Sequence, residues 1–163
     1  MNAEIWLLYF DGSCNPNPGG IAAYGYVLEK TGDVVEEGHD IIGQNENMTS
    51  NLAEHFAIAE GMLAFLKYYT GTKGAVLLCR GDSQLVIKQL NGQWKANHQF
   101  PYYSEYLRAR ELLKVIRKKG VIVQIDWIPR AKNDRCDKLS KAYKTKENDK
   151  ELEKIYKTLQ KKY

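Results

Sequence analysis

EIWLLYFDGSCNPNPGG, residues 4–20, decides how this chain folds. Residues 4–10 form a nearly unbroken apolar run, the pattern of a strand covered on both faces in a partly parallel sheet rather than of one wetted on alternate positions. The run ends at Asp11, and a Gly/Pro-rich turn carries the chain to Gly20. A second apolar run, AVLLC at residues 75–79, leads in the same way to Asp82. Two central strands that each end in an acid place both acids where open α/β sheets hold their ligands, outside the carboxyl ends of the strands.

The rest of the chain builds outward from these two strands. Residues 20–30 and 33–42 flank the turn signal Thr31-Gly32-Asp33 and predict a hairpin that continues from the first strand. Leu52, Phe56, Ala59, Leu63 and Leu66 follow the helical period, as do Tyr102, Tyr106, Ala109, Leu113 and Ile116. Residues 83–91 predict a short helix, and VIVQIDW at 121–127 alternates as a last strand. A short helix opens at Asn133, a natural N-cap, giving the order βββαβααβα. Beyond it, residues 145–163 form a Lys-rich tail in which Leu152, Ile155, Tyr156 and Leu159 share one helical stripe, with Asn148 or Asp149 as cap. The stripe suits docking on the body, and the charge suits a solvated helix.

At 163 residues, 44% apolar and 27% charged, the chain fits one domain with a real core. Its longest apolar run is too short to cross a bilayer, and no signal segment is read at its start, so a cytoplasmic protein without membrane contact is expected. Cys14, Cys79 and Cys136 are odd in number and widely spaced, which suits packing thiols in a reducing compartment. The net charge of +4 is uneven: residues 138–163 carry nine Lys against four acids, whereas residues 1–137 carry 15 basic against 16 acidic residues. If several body acids hold metal, the remaining surface is net positive and suits a phosphate-bearing partner.

Four acids stand out: Asp11, Glu54, Asp82 and Asp137. Carboxylates gathered from distant segments raise one another's pKa and destabilise a fold unless a strong cation joins them, so divalent metal is the expected partner. Each has an ordinary reading as well. Asp11 suits a turn ahead of Gly12, and Asp82 suits an N-cap. Glu54 lines up with Ile58, Gly61 and Phe65 on an apolar stripe where an unpaired charge is costly, although a first-turn cap with Asn51 also suits it. Glu60, by contrast, shares a face with Lys67 and is expected to point to water. Asp137 suits equally a helix-surface pair with Lys141.

In this order the segments resemble ribonuclease H of type 1 over nearly all of residues 4–143: Asp11-Gly12-Ser13 with its turn, Thr49 to Glu54, Asp82-Ser83-Gln84, and Asn133 to Leu139. The resemblance implies a five-stranded mixed sheet in the order 3-2-1-4-5 with helices on both faces, spanning residues 1–144 and followed by the tail. It also implies an endonuclease that hydrolyses the RNA strand of RNA/DNA hybrids, leaving 5′-phosphate and 3′-hydroxyl ends. Two Mg²⁺ ions about 4 Å apart, or Mn²⁺ in their place, would sit on Asp11, Glu54, Asp82 and Asp137, with Asp11 bridging both. Asn17, Ser50, Asn51 and Gln84 match the family's minor-groove contacts, where the 2′-hydroxyl marks RNA. Thr49 and Asn133 match positions that grip a DNA-strand phosphate, and Trp94 and Lys95 line the DNA side unless Trp94 simply packs.

Two departures from the family pattern shape the remaining expectations. The loop Ile128 to Lys132 lacks the His that many members carry, and Arg130 is expected to replace it in part by contacting phosphate. His39, His55 and His98 read as structural or exposed. The segment Gly92 to Pro101 is too short for the basic helix by which some relatives hold the hybrid, so grip is expected from the tail or from Arg117-Lys118-Lys119, which also suit a helix C-terminus. A monomer is expected. The alternatives are a same-fold nuclease for double-stranded RNA and a non-catalytic hybrid-binding module; the module would lack a carboxylate, and all four are present.

Overall fold

A computed structural model describes residues 3–71 and 74–162, with their side chains except those of 145–149 and 162. The strands are β1 (Ile5–Asn15), β2 (Ile21–Lys30), β3 (Asp33–Gln44), β4 (Val76–Gly81) and β5 (Ile122–Trp127). The helices are α1 (Ser50–Tyr68), α2 (Gln84–Leu90), α3 (Tyr103–Lys118), α4 (Asp134–Ser140) and α5 (Ala142–Lys162), with a 3₁₀ turn at Arg130–Lys132 before α4. The sheet order β3-β2-β1-β4-β5 is the one expected, antiparallel from β1 to β3 and parallel from β1 through β4 to β5. Among the described residues no helix is long and apolar enough to cross a membrane.

Trp6, Leu8 and Phe10 of β1 are fully buried on the face covered by α1 and α3, where they share a core with Ile58, Met62, Phe65, Leu113 and Ile116. Each such side chain contributes about 1.5–3 kcal/mol of burial, and Trp6 adds an edge-to-face contact with Phe65 at 5.1 Å. The opposite face is only half-covered, since Leu7 and Tyr9 retain some exposure and Ile5 is 50% exposed. The expectation of strands sealed on both faces is therefore corrected: the short α4 covers part of the second face, and its seven residues cannot cover more.

β1 also runs further than expected, through Asn15, because its β2 side stays paired to Ile21. Its β4 side does not: the parallel pairing ends at Tyr9 opposite Arg80, and β4 stops at Gly81. Asp11 thus lies inside a strand yet just past the end of its parallel half, beside an open slot. That slot admits side chains from both faces of the sheet.

Two expectations outside the slot are corrected. Glu60 does not point to water; it is half-buried and takes Arg108 Nη1 of α3 at 2.8 Å, while Lys67 on the same helix reaches Glu36 of β3 at 3.3 Å. The tail helix begins at Ala142, upstream of the caps expected at Asn148 or Asp149, whose side chains lie outside the described set. Tyr143 is buried, whereas Leu152, Ile155, Tyr156 and Leu159 are more than half exposed, so the apolar stripe does not dock on the body.

Candidate active site

Each carboxylate reaches the slot for a local reason. Asp11 comes from β1 and points to the α4 face, as does its register partner Gly25. A Cβ on Gly25 would lie 2.6 Å from Leu139 Cβ and 2.9 Å from Cys136 O, so the missing side chain lets α4 rest on the sheet and brings Asp137 to the slot. Glu54 comes from the other face. Thr49, not Asn51, caps α1 by accepting from Leu52 N at 3.1 Å, and Glu54 lies on the buried side of the first turns. Asp82 follows β4, and the cap of α2 is Ser83, which accepts from Val86 N, so the capping alternative for Asp82 falls away and its carboxylate remains available.

Asp11, Glu54 and Asp82 each offer an oxygen such that all three lie within 4.8 Å of one another. Asp11 is 4% and Glu54 8% exposed. Burial, with Asp82 and Asp137 adding their charge, pushes Asp11 up to about 7 despite a hydrogen bond from Glu54. Burial and then the Asp11 charge push Glu54 well above the carboxylate range, and burial raises Asp82 as well. Without a cation, shared protons hold this cluster together. Glu54 Oε2 is buried without a hydrogen-bond partner, a costly state that an added cation would relieve. Oxygen-only donors of this kind fit a hard divalent ion.

Asp137 stands at the edge of the cluster. Burial would raise it, but Lys141 and Arg130 outweigh burial and hold it below its ordinary value. Its Oδ1 takes Lys141 Nζ at 2.8 Å and Arg130 Nη2 at 3.4 Å. The helix-surface pair with Lys141 is therefore real, and the same residue still lines an open cleft of about 420 Å³ with the other three acids.

The remaining expected residues divide. Asn17 and Ser50, from the turn and from α1, meet directly: Asn17 Nδ2 donates to Ser50 Oγ at 2.9 Å and Ser50 N donates to Asn17 Oδ1 at 3.1 Å. Asn51 and Gln84 are exposed at the starts of α1 and α2. Trp94 is 45% exposed with Lys88 Nζ 4.4 Å over its ring, so it does not pack into the core, and Lys95 is exposed beside it. Asn133 stands at the N-cap position of α4, as expected, but its side chain makes no cap bond: it is 2% exposed, and Nδ2 donates to Phe10 O at 2.8 Å, which ties α4 to β1 and turns the amide away from the surface where a phosphate would lie. Sequence reading missed Trp127, whose indole donates to Asp82 O at 3.1 Å at the rim of the cleft, and Ser13, whose Oγ donates to Ser140 O. Trp127 closes an alternating strand, a signal of sheet position but not of what lies beyond its end.

A family model for RNase H matches residues 3–144. The chain belongs to the RNase H family. Among RNase H relatives, it is 40% identical over 137 residues to ribonuclease HI of Halobacterium salinarum, covering 81% of this chain and 60% of that protein. The crystal structure of RNase H1 from the same archaeon superposes with a TM-score of 0.70 at 37% identity, over 84% of this chain and 95% of that one. The N-terminal RNase H domain of a Mycobacterium tuberculosis protein, solved as a fusion with maltose binding protein, gives 0.73 at 27%, over 86% and 93%. The chain spans 60% of the length of the archaeal curated relative and 31% of the mycobacterial ones. The match to the RNase H model ends at residue 144, inside α5.

Proposed function

We propose that the chain is an endoribonuclease that hydrolyses the RNA strand of RNA/DNA hybrids, using two divalent ions, Mg²⁺ or Mn²⁺ in its place. The observation that carries this reading is the close grouping of the Asp11, Glu54 and Asp82 carboxylates, together with a Glu54 Oε2 that is buried without a hydrogen-bond partner. Membership of the RNase H family supports it. Asp11, Glu54, Asp82 and Asp137 would hold the ions, which supply positive charge against the negative charge that develops on the phosphate during displacement. In the reaction one water adds to phosphorus and the bond to the 3′ oxygen breaks, leaving a 5′-phosphate and a 3′-hydroxyl.

The chain's own groups then orient the duplex. The Asn17–Ser50 pair, Asn51 and Gln84 present donors and acceptors suited to the ribose 2′-hydroxyls of a minor groove. Thr49 spends its hydroxyl oxygen on Leu52 N and keeps its O–H for a phosphate. Trp94, backed by Lys88, and Lys95 suit the DNA strand through ring contact and charge. Arg130, whose side chain is 73% exposed, stands where a phosphate beside the cleft would lie. Residues 1–144 would form the catalytic unit and 145–163 an appended tail, in a monomeric cytoplasmic protein.

The test is cleavage of labelled RNA/DNA, RNA/RNA and DNA/DNA duplexes with Mg²⁺ or Mn²⁺, with analysis of the product ends. Cutting of the hybrid's RNA strand to 5′-phosphate ends is expected; cutting of RNA/RNA alone, or binding without any cut, would replace the reading by one of its alternatives.

A further inference from the structure

Beneath the first turns of α1 lies a buried chain of polar groups that the proposed chemistry does not use. His55, fully buried and next to Glu54, has Nδ1 2.7 Å from Asn51 O and Nε2 2.9 Å from Gln89 Oε1. Gln89, 2% exposed, has Nε2 3.0 Å from Tyr102 OH, and Asn97 N donates to that same hydroxyl at 3.0 Å. Tyr102 stacks flat on the His55 ring at 4.9 Å.

Donor counting gives this chain one direction. The ring is fully buried and both of its nitrogens face uncharged groups, a carbonyl and an amide, so it is neutral and carries a single N–H. Asn51 O can only accept, which puts that proton on Nδ1 and makes Nε2 an acceptor. A half-turn of the Gln89 amide exchanges its nitrogen and oxygen, and only with nitrogen toward His55 is every group satisfied. The order is then Asn97 N–H to Tyr102 OH, Tyr102 O–H to Gln89, Gln89 N–H to His55, and His55 N–H to Asn51 O.

We propose that His55, Gln89 and Tyr102 are positioning residues that lock the irregular segment Gly92–Pro101 to the first turn of α1. The segment carries Trp94 and Lys95; the turn carries Ser50 and Asn51. The two would face opposite strands of a bound duplex, so the relay fixes the spacing of the groove walls. Apolar side chains filling the same space would stabilise the fold at least as well, and so stability alone does not account for a network that must be satisfied at every link. This inference rests on the hybrid-cleavage reading.

The test uses Tyr102→Phe, which keeps the stacked ring and removes the hydroxyl, and Gln89→Met, which keeps the shape. The KM for hybrid is expected to rise roughly fivefold or more with kcat within about twofold, the loss of one buried hydrogen bond being read as affinity. Amide hydrogen exchange at Asn97 is expected to accelerate at least about tenfold in both variants. A lowered melting temperature with KM and Asn97 exchange unchanged would overturn the proposal and leave a merely structural network. Failure of the unsubstituted chain to cut hybrid would count against the nuclease reading alone, and the Asn97 exchange rate would then decide the relay by itself.

Discussion

A Cβ placed on Gly12 would lie 2.3 Å from the backbone nitrogen of Glu54, closer than packed atoms tolerate. The strand that carries Asp11 and the helix that carries Glu54 touch through bare backbone, and the Gly12 N–H beside the Glu54 carboxylate works against the rise in its pKa. Because neither backbone can move without moving its whole element, Gly12→Ala is expected to cost at least about 3 kcal/mol of stability. Folded Gly12→Ala protein should cut hybrid roughly 100-fold more slowly, since displacement of a catalytic group by about 1 Å has that effect. Denaturant titration and initial rates check the two numbers.

The crowded carboxylates give the metal-free protein an unusual pH profile. The folded pKa of Asp11, about 7, exceeds its unfolded value, so the folded state holds more protons. Stability from Asp11 is full below about pH 4 and is lost as pH rises toward 7, at up to about 1.4 kcal/mol per pH unit. Glu54 is shifted in the same direction. Melting temperature in EDTA should fall between pH 5 and pH 8, Mg²⁺ or Mn²⁺ should raise it more at pH 8 than at pH 5, and Asp11→Asn should flatten the profile.

Arg130 reaches Asp137 at 3.4 Å but leaves most of its side chain exposed over the cleft. Arg130→Ala is expected to raise the KM for hybrid about three- to tenfold and to reduce the slope of log affinity against log salt by about 1. Unchanged turnover and unchanged affinity would show that nothing at this position stands in for the absent histidine.

The exposed α5 bears on substrate grip in a similar way. If its lysines touch duplex, removal of residues 145–163 should weaken hybrid binding and flatten its salt dependence. Equal affinity in a filter-binding titration would leave the helix without a role in binding.

The succession of strands and helices, the neighbouring parallel strands that carry Asp11 and lead to Asp82, and the buried face of Glu54 were legible because apolar runs and helical periods report burial directly, whereas the sheet order came only from the resemblance to type 1 ribonuclease H. Where pairing on one edge differs from pairing on the other, the sequence is silent. Nothing in FDGSCN says that β1 stays paired to β2 after β4 has stopped, yet that mismatch opens the slot. Glu60 misled because Lys67 on its own helix was visible in the sequence, whereas Arg108, 48 residues away, was not. Asn133 takes the cap position of α4, but its side chain is buried and its Nδ2 donates to Phe10 O across the sheet instead of to the helix or to a phosphate. Long-range partners decided each of these cases.

The most direct measurement compares the chain with Asp11→Asn, side by side, for cleavage of a labelled RNA/DNA hybrid in Mg²⁺. Asp11 lies at the centre of the cluster, touching Glu54 and Asp82. Loss of at least about 1,000-fold in rate is expected for the variant, on the order of 4 kcal/mol of transition-state stabilisation, with its fold intact by circular dichroism. Hybrid cleavage at equal rates by both proteins, or by neither, would contradict a carboxylate-held metal site that cuts RNA.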